Sequence, residues 1–189
     1  MGFSQEVINE ALRVQEEYKI PASVTLATYA LESGWGTSRL AMQANNFFGL
    51  SGSSPSGQFI TVSGRKWQKY DNMAAGFDAY GRTMTKTTYT SKTAGVTNVT
   101  DYVNAIAETY APSSDGNEGY SEKVLKIIRD YDLTQYDTVY NGGGTPTTET
   151  TKTEQTAAEV SGIAKNIVLF LMLAILVIGA IASLYFVFR

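Results

Sequence analysis

The 189-residue chain contains no histidine and no cysteine. Those two absences remove imidazole bases, thiolate nucleophiles, disulfides and the usual zinc ligand sets. Any catalysis must therefore rest on carboxylates, Lys, Tyr or Ser/Thr, and neither a metal nor an organic cofactor is expected. Charge is also sparse: charged residues make up 17% of the chain, and 15 Lys and Arg against 18 Asp and Glu leave a formal net charge of -3. A small negative balance offers no broad attraction to a polyanion, so nucleic acid is set aside as a partner.

What is present is unevenly spread. From Ile167 to Phe188 the chain runs without a charge, long enough at ~1.5 Å rise per residue to cross a bilayer core of ~30 Å. Lys165 and Arg189 flank this run, and Tyr185, Phe186 and Phe188 suit an interface, so a single membrane-spanning helix is predicted, its orientation left open by one basic residue at each end. The stretch before it, Asn141 to Gly162, has almost no bulky apolar residue and cannot offset its ordering entropy by burial, which makes it a flexible tether. The expected organisation is a globular head over residues 1–137, a Gly/Thr-rich linker over 138–162 and an anchor over 163–189. Met1-Gly2-Phe3-Ser4-Gln5-Glu6 has neither a basic n-region nor an apolar h-region, so the head is expected to be anchored only from behind.

Within the head, Ser4 can cap a helix to about Lys19 with Val7, Ile8, Ala11, Leu12 and Val14 as its apolar stripe. A second helix is expected from Pro21 to Ser33, burying Val24, Ala27 and Leu31 and ending at Gly34. A short helix follows Thr37 and ends near Ala44. Phe59-Ile60-Thr61-Val62, the turn Ser63-Gly64 and the run Lys66 to Tyr70 read as a small β-hairpin. Helical spacing returns behind Asn72, then behind Thr100, and finally around Val124, Ile127, Ile128 and Tyr131. The expected fold class is mostly α with one small hairpin.

Chemistry concentrates in Ala30-Leu31-Glu32-Ser33-Gly34-Trp35-Gly36-Thr37-Ser38-Arg39-Leu40-Ala41, followed by Asn45-Asn46-Phe47-Phe48-Gly49-Leu50. Glu32 falls in the last turn of a helix, where the negative end of the dipole disfavours a carboxylate and raises its pKa, as a general acid requires. Trp35, across a glycine, could lie over the carboxyl group and desolvate it further. Trp35 and Trp67 could each stack on sugar rings or close the core, and Phe47 and Phe48 could each be core or cleft.

These strings resemble the glucosaminidase family of bacterial and phage wall hydrolases, glycoside hydrolase family 73, in the lysozyme-like superfamily. Lys69 to Phe77 and the stretch from Glu108-Thr109-Tyr110-Ala111 to Tyr120-Ser121-Glu122-Lys123-Val124 are similar to the same family, so the resemblance runs in order from about residue 4 to 133. It implies that Glu32 is the general acid, that Asn46, Phe47 and Phe48 line the cleft beside it, and that Tyr110 lies near the acid; with Trp35 these are the expected substrate contacts. The departure is in the hairpin. Many relatives carry a second glutamate there, whereas no Glu occurs from Gly49 to Tyr80, and the acids in that interval are Asp71 and Asp78. One carboxylate can still suffice if the sugar's 2-acetamido group acts as nucleophile, or if Glu32 acts as acid and then base in forming an anhydro sugar.

The expected partners are peptidoglycan glycan strands, a lipid bilayer contacted through residues 163–189, and the proteins of a virion or a delivery machine. The leading expectation is an anchored hydrolase cutting the β-1,4 bond after N-acetylglucosamine. A lytic transglycosylase or muramidase on the same scaffold, and a non-catalytic wall-binding or assembly module, are the alternatives. A head with no leader and a C-terminal anchor would ordinarily stay away from the wall. Unusual insertion, a delivery machine or a phage particle with its own membrane would each resolve this, and the virion membrane is the expected location, with the bacterial plasma membrane as the alternative.

Overall fold

The structure, a computed structural model, describes residues 2–113, 116–117 and 119–138. All of them belong to the first of two units into which the chain divides, Met1–Thr145 and Pro146–Arg189. The membrane-helix reading over 163–189 and the tether, from residue 139 on, lie outside the described residues. Among the described residues no helix is long and apolar enough to cross a membrane.

The head follows the expected order with two additions. Helix α1 spans Gln5–Tyr18, with the Ser4 hydroxyl accepting from the Val7 N–H and Lys19 closing it in the left-handed region. It buries Val7, Ala11 and Val14, while Leu12, expected in the stripe, lies at the surface. Helix α2 spans Ala22–Ser33, one residue later than expected because Pro21 stands at the N-cap. Helix α3, Arg39–Ala44, is capped by the Ser38 hydroxyl. Strands β1 (Phe59–Val62) and β2 (Arg65–Gln68) pair antiparallel across Ser63 and Gly64, both at positive φ, which is the geometry of a two-residue hairpin turn. Helix α4, Met73–Met84, starts behind Asn72, whose side chain accepts from the Ala75 N–H.

Helix α5, Thr87–Thr93, is absent from the sequence expectation; it buries no residue and so carries no apolar period to detect. Helix α6, Val99–Tyr110, begins behind Asn98 rather than Thr100, because the Asn98 side chain accepts from the Asp101 N–H at 2.8 Å. Helix α7, Tyr120–Asp130, is followed by a 3₁₀ turn over Leu133–Tyr136. Asp137 then accepts from the Ser23 N–H and hydroxyl at 2.8 and 2.6 Å, fastening the end of the head to α2.

Helix α2 is the axis of the fold. Every residue from Ala22 to Ala30 is buried, including Ser23, Thr25 and Thr28, because α1, α6, α7 and the 3₁₀ turn all pack against it. A helix covered on all sides has no polar face, which is why its sequence reads as a stripe only in part. Helix α4 packs on α1 through Gly81, where a Cβ would clash with the Tyr18 ring. Beside it Phe77 and Tyr80 reach full burial, meeting Phe47 and Phe48. Each such ring contributes ~2–3 kcal/mol by leaving water.

Candidate active site

Glu32 sits in the last turn of α2, and the backbone beyond it explains the unusual motif. Gly34, Trp35 and Gly36 all take positive φ, at 55°, 59° and 79°. The Trp35 N–H returns to the Ala30 carbonyl at 3.0 Å, the Gly36 N–H reaches the Ser33 hydroxyl at 2.7 Å, and the Ser38 N–H reaches the Ser33 carbonyl at 2.8 Å. Gly36 has no tolerance for a side chain, because a Cβ there would strike the Tyr29 hydroxyl. The turn stops α2 at a defined residue and restarts the chain as α3, so the Glu32 backbone is fixed by its own helix.

The carboxyl group opens into a cleft of about 580 Å³. At its floor are Glu32, Phe48, Gly49 and Tyr110; Leu50, Ser51, Arg65, Trp67 and Gln68 from the hairpin and the loop before it, and Thr83, Lys86, Tyr89, Pro112 and Asn117 from α4 onward, complete the lining. Gly49, at φ 62°, lets the backbone come close to the acid, since a Cβ there would stand 3.4 Å from Glu32 Oε2. The Tyr110 hydroxyl donates to the Phe48 carbonyl at 2.7 Å, which locks that loop over the floor. Burial raises the Glu32 carboxyl from its ordinary value to about 7. Burial also lifts the Tyr110 phenol well above its usual range, with the phenols of Tyr120 and Tyr80 and the charge of Glu32 adding to it.

Two of the expected contacts lie along this cleft, Phe48 and Tyr110; three do not. Trp35 packs its ring on Phe3 and Tyr131, at centroid distances of 4.9 and 4.7 Å, and is not among the cleft residues. Its left-handed backbone accompanies an indole packed on the N-terminal Phe3 and on Tyr131, away from the cleft lining. Asn46 is 1% exposed and lies beneath the cleft, donating to the Leu50 and Gln68 carbonyls at 2.8 and 2.9 Å and accepting from the Leu50 N–H at 2.9 Å. It fastens the loop after α3 to the hairpin. Phe47 is a core residue against Tyr29 and Phe77. Of the two tryptophans it is Trp67 that faces the cleft.

Neither acid of the hairpin interval joins Glu32. Asp71 accepts from Gln58 at the surface, and Asp78 is engaged by Tyr18, Arg13 and Arg82. Among the described cleft residues Glu32 is the only carboxylate. The cleft also contains residues that the sequence reading did not single out: Gly49, Arg65, Lys86, Tyr89 and Asn117. Gly49 lay inside a quoted motif, and only a tertiary contact reveals its role. Lys86 and Tyr89 belong to the unforeseen α5 region.

Residues 8–133 match the family described as Glucosaminidase, mannosyl-glycoprotein endo-beta-N-acetylglucosaminidase. The chain is 28% identical over 151 residues to the exo-glucosaminidase LytG of Bacillus subtilis, covering 72% of this chain and 53% of LytG. It is 29% identical over 161 residues to an autolysin of Enterococcus faecalis, covering 76% of this chain and 22% of the autolysin. The chain thus spans about half or less of the length of these relatives. In fold it is similar to the catalytic domain of the autolysin Auto from Listeria monocytogenes, with a TM-score of 0.58 at 24% identity over 70% of this chain and 86% of that one. It is also similar to a peptidoglycan hydrolase from Sphingomonas sp. A1, with a TM-score of 0.56 at 22% identity over 70% and 92% of the two chains. With two thirds of its residues inside that match and the same helical fold around the cleft, the chain belongs to the glucosaminidase family of glycoside hydrolases.

Proposed function

We propose that the chain is a peptidoglycan hydrolase that cuts the β-1,4 bond after N-acetylglucosamine, with Glu32 as its general acid. The observation that carries this reading is a single cleft carboxyl group whose burial lifts it to about 7, so that it still holds a proton where ordinary glutamates have lost theirs. Glu32 donates that proton to the glycosidic oxygen as the C1–O bond breaks. With no second carboxylate among the described cleft residues, the N-acetylglucosamine 2-acetamido oxygen supplies the electron pair to C1 and closes an oxazolinium ring. Glu32, now ionised, takes a proton from water as that water opens the ring at C1, which restores the acid and releases a reducing sugar. Trp67 and Tyr89 offer ring faces to the glycan along the cleft.

The charge-free run near the C-terminus supports a further part of the proposal: the head works from a membrane, held by residues 163–189 through the linker at 138–162. A short tether behind a wall-cutting head suits a phage or mobile element that opens a local hole in the wall, with the virion membrane as its location.

Mass spectrometry of fragments released from purified peptidoglycan tests the chemistry. Reducing N-acetylglucosamine ends that vanish in Glu32→Gln are expected. Anhydro-muramic ends would make the reaction a transglycosylation, and no release by either protein would make the chain a binding module. Finding the protein in the membranes of uninfected cells and never in purified particles would overturn the virion location.

A further inference from the structure

Two cations, Arg65 and Lys86, line the same cleft as Glu32. Arg65 comes from β2 and Lys86 from the turn before α5, and both are exposed lining residues. Neither has a carboxylate partner among the described residues, as is true of several other surface cations, but these two line the cleft that holds Glu32. Arg65 is also held in place: its guanidinium lies over the ring of Trp67, another lining residue, at 4.5 Å, which limits the rotamers available to a long side chain. Holding two cations beside a cleft whose one described acid favours its neutral form is of no use for a neutral sugar. Chito-oligosaccharides have no charge to meet them.

The wall glycan does. Every second sugar is a muramoyl unit with a lactyl ether, whose carboxyl is either free or joined to a stem peptide that itself ends in carboxylates. We infer that Arg65 and Lys86 form a carboxylate-binding pair that selects the muramoyl unit next to the bond being cut. The inference rests on the glycosidase reading above and adds to it the feature that orients the strand: a carboxylate gripped beside Glu32 sets which sugar lies at the acid. The planar fork of Arg65 can receive both oxygens of a carboxylate, and Lys86 adds a mobile point charge.

The test is binding to the full-length chain in detergent carrying Glu32→Gln, which prevents turnover, measured by calorimetry. The probes are a wall tetrasaccharide with free lactyl carboxylates, its methyl ester, and the same sugar bearing a dipeptide with its own carboxylate. The free acid is expected to bind about tenfold more tightly than the ester at low salt, as two exposed charge-assisted contacts would give. Adding Arg65→Gln or Lys86→Gln is expected to erase most of that ratio, and raised salt to shrink it. If the dipeptide form matches the acid, the pair reads the stem peptide; if it matches the ester, the pair reads the lactyl group. Equal binding of acid and ester, or a ratio that survives both substitutions, overturns the inference. Fragment release by the chain with Glu32 intact is scored separately, so a failed glycosidase reading and a failed carboxylate pair give different results.

Discussion

The floor of the cleft and its rim are built from opposite materials. The floor is the end of α2 and the loop from Asn46 to Gly49, where Asn46, Phe47 and Phe48 are all buried and Asn46 satisfies its amide with three hydrogen bonds. The rim is the exposed face of the hairpin and α5, which buries no residue at all. Stability and the position of the acid therefore reside in the floor, and recognition of the strand is left to side chains that cost the fold little to change. A site arranged this way can alter its specificity without disturbing its proton donor.

That contrast can be broken from the floor upward. The largest effect is expected from Glu32→Gln, which should lower wall turnover by about 10²–10⁴-fold and leave the fold intact. The same substitution should change stability in a pH-dependent way. At pH 4 Glu32 is protonated both folded and unfolded, so the variant should match the parent. As pH rises through the unfolded value of about 4.3 toward the folded value of about 7, the parent bears a growing cost for a buried carboxylate, and above 7 the variant should be more stable by up to about 3–4 kcal/mol. Urea unfolding at pH 4 and pH 8 measures both ends. Asn46→Ala should come next, costing about 2–3 kcal/mol by leaving the Leu50 and Gln68 backbone groups unpaired. Circular dichroism melts would register that loss.

Gly49→Ala combines a left-handed backbone with a methyl group pressed toward Glu32 Oε2. It should reduce kcat by about tenfold, the order expected from a small misplacement of a catalytic group, at a stability cost of about 1 kcal/mol. Steady-state kinetics beside a melting curve separates the two. The smallest effect is expected at Tyr80. Its hydroxyl is buried with those of Thr28 and Tyr120 and makes at most a weak contact with Thr28, so Tyr80→Phe should change stability by no more than about 1 kcal/mol. A clear destabilisation there would mean that the hydroxyl has a partner the packing does not show.

Much of this arrangement is legible in the sequence because it is local. Ser4, Gly34, Ser38 and Asn72 announce helix ends through their own side chains or their freedom at positive φ, and each stands where an end occurs. Ser63-Gly64 between β-prone runs marks the hairpin for the same reason. Glu32 in the last turn of α2 was readable too, although the cause of its raised pKa was not. The cause is burial in the folded chain, and the tryptophan three positions away packs its ring on Phe3 and Tyr131. Trp35 is the instructive failure. Nothing local tells that its ring would meet Phe3 and Tyr131, and a positive φ at a tryptophan is a conformation that sequence patterns do not foretell. Asn46 failed for a related reason: a polar residue beside aromatics suggests a ligand contact, whereas its partners are carbonyls 4 and 22 residues away. Helix α5 was invisible because a Thr-rich surface helix has neither an apolar period nor high helix propensity.

Burial holds a proton on Glu32 near neutrality, and carboxyl carbon NMR of glutamate-labelled protein tests this without any substrate. One resonance should titrate near pH 7 and be missing from the Glu32→Gln spectrum, while the kcat/KM of the parent falls over the same pH range. If every glutamate carboxyl titrates below about pH 5, the cleft does not hold its acid protonated, and Glu32 is not the proton donor described.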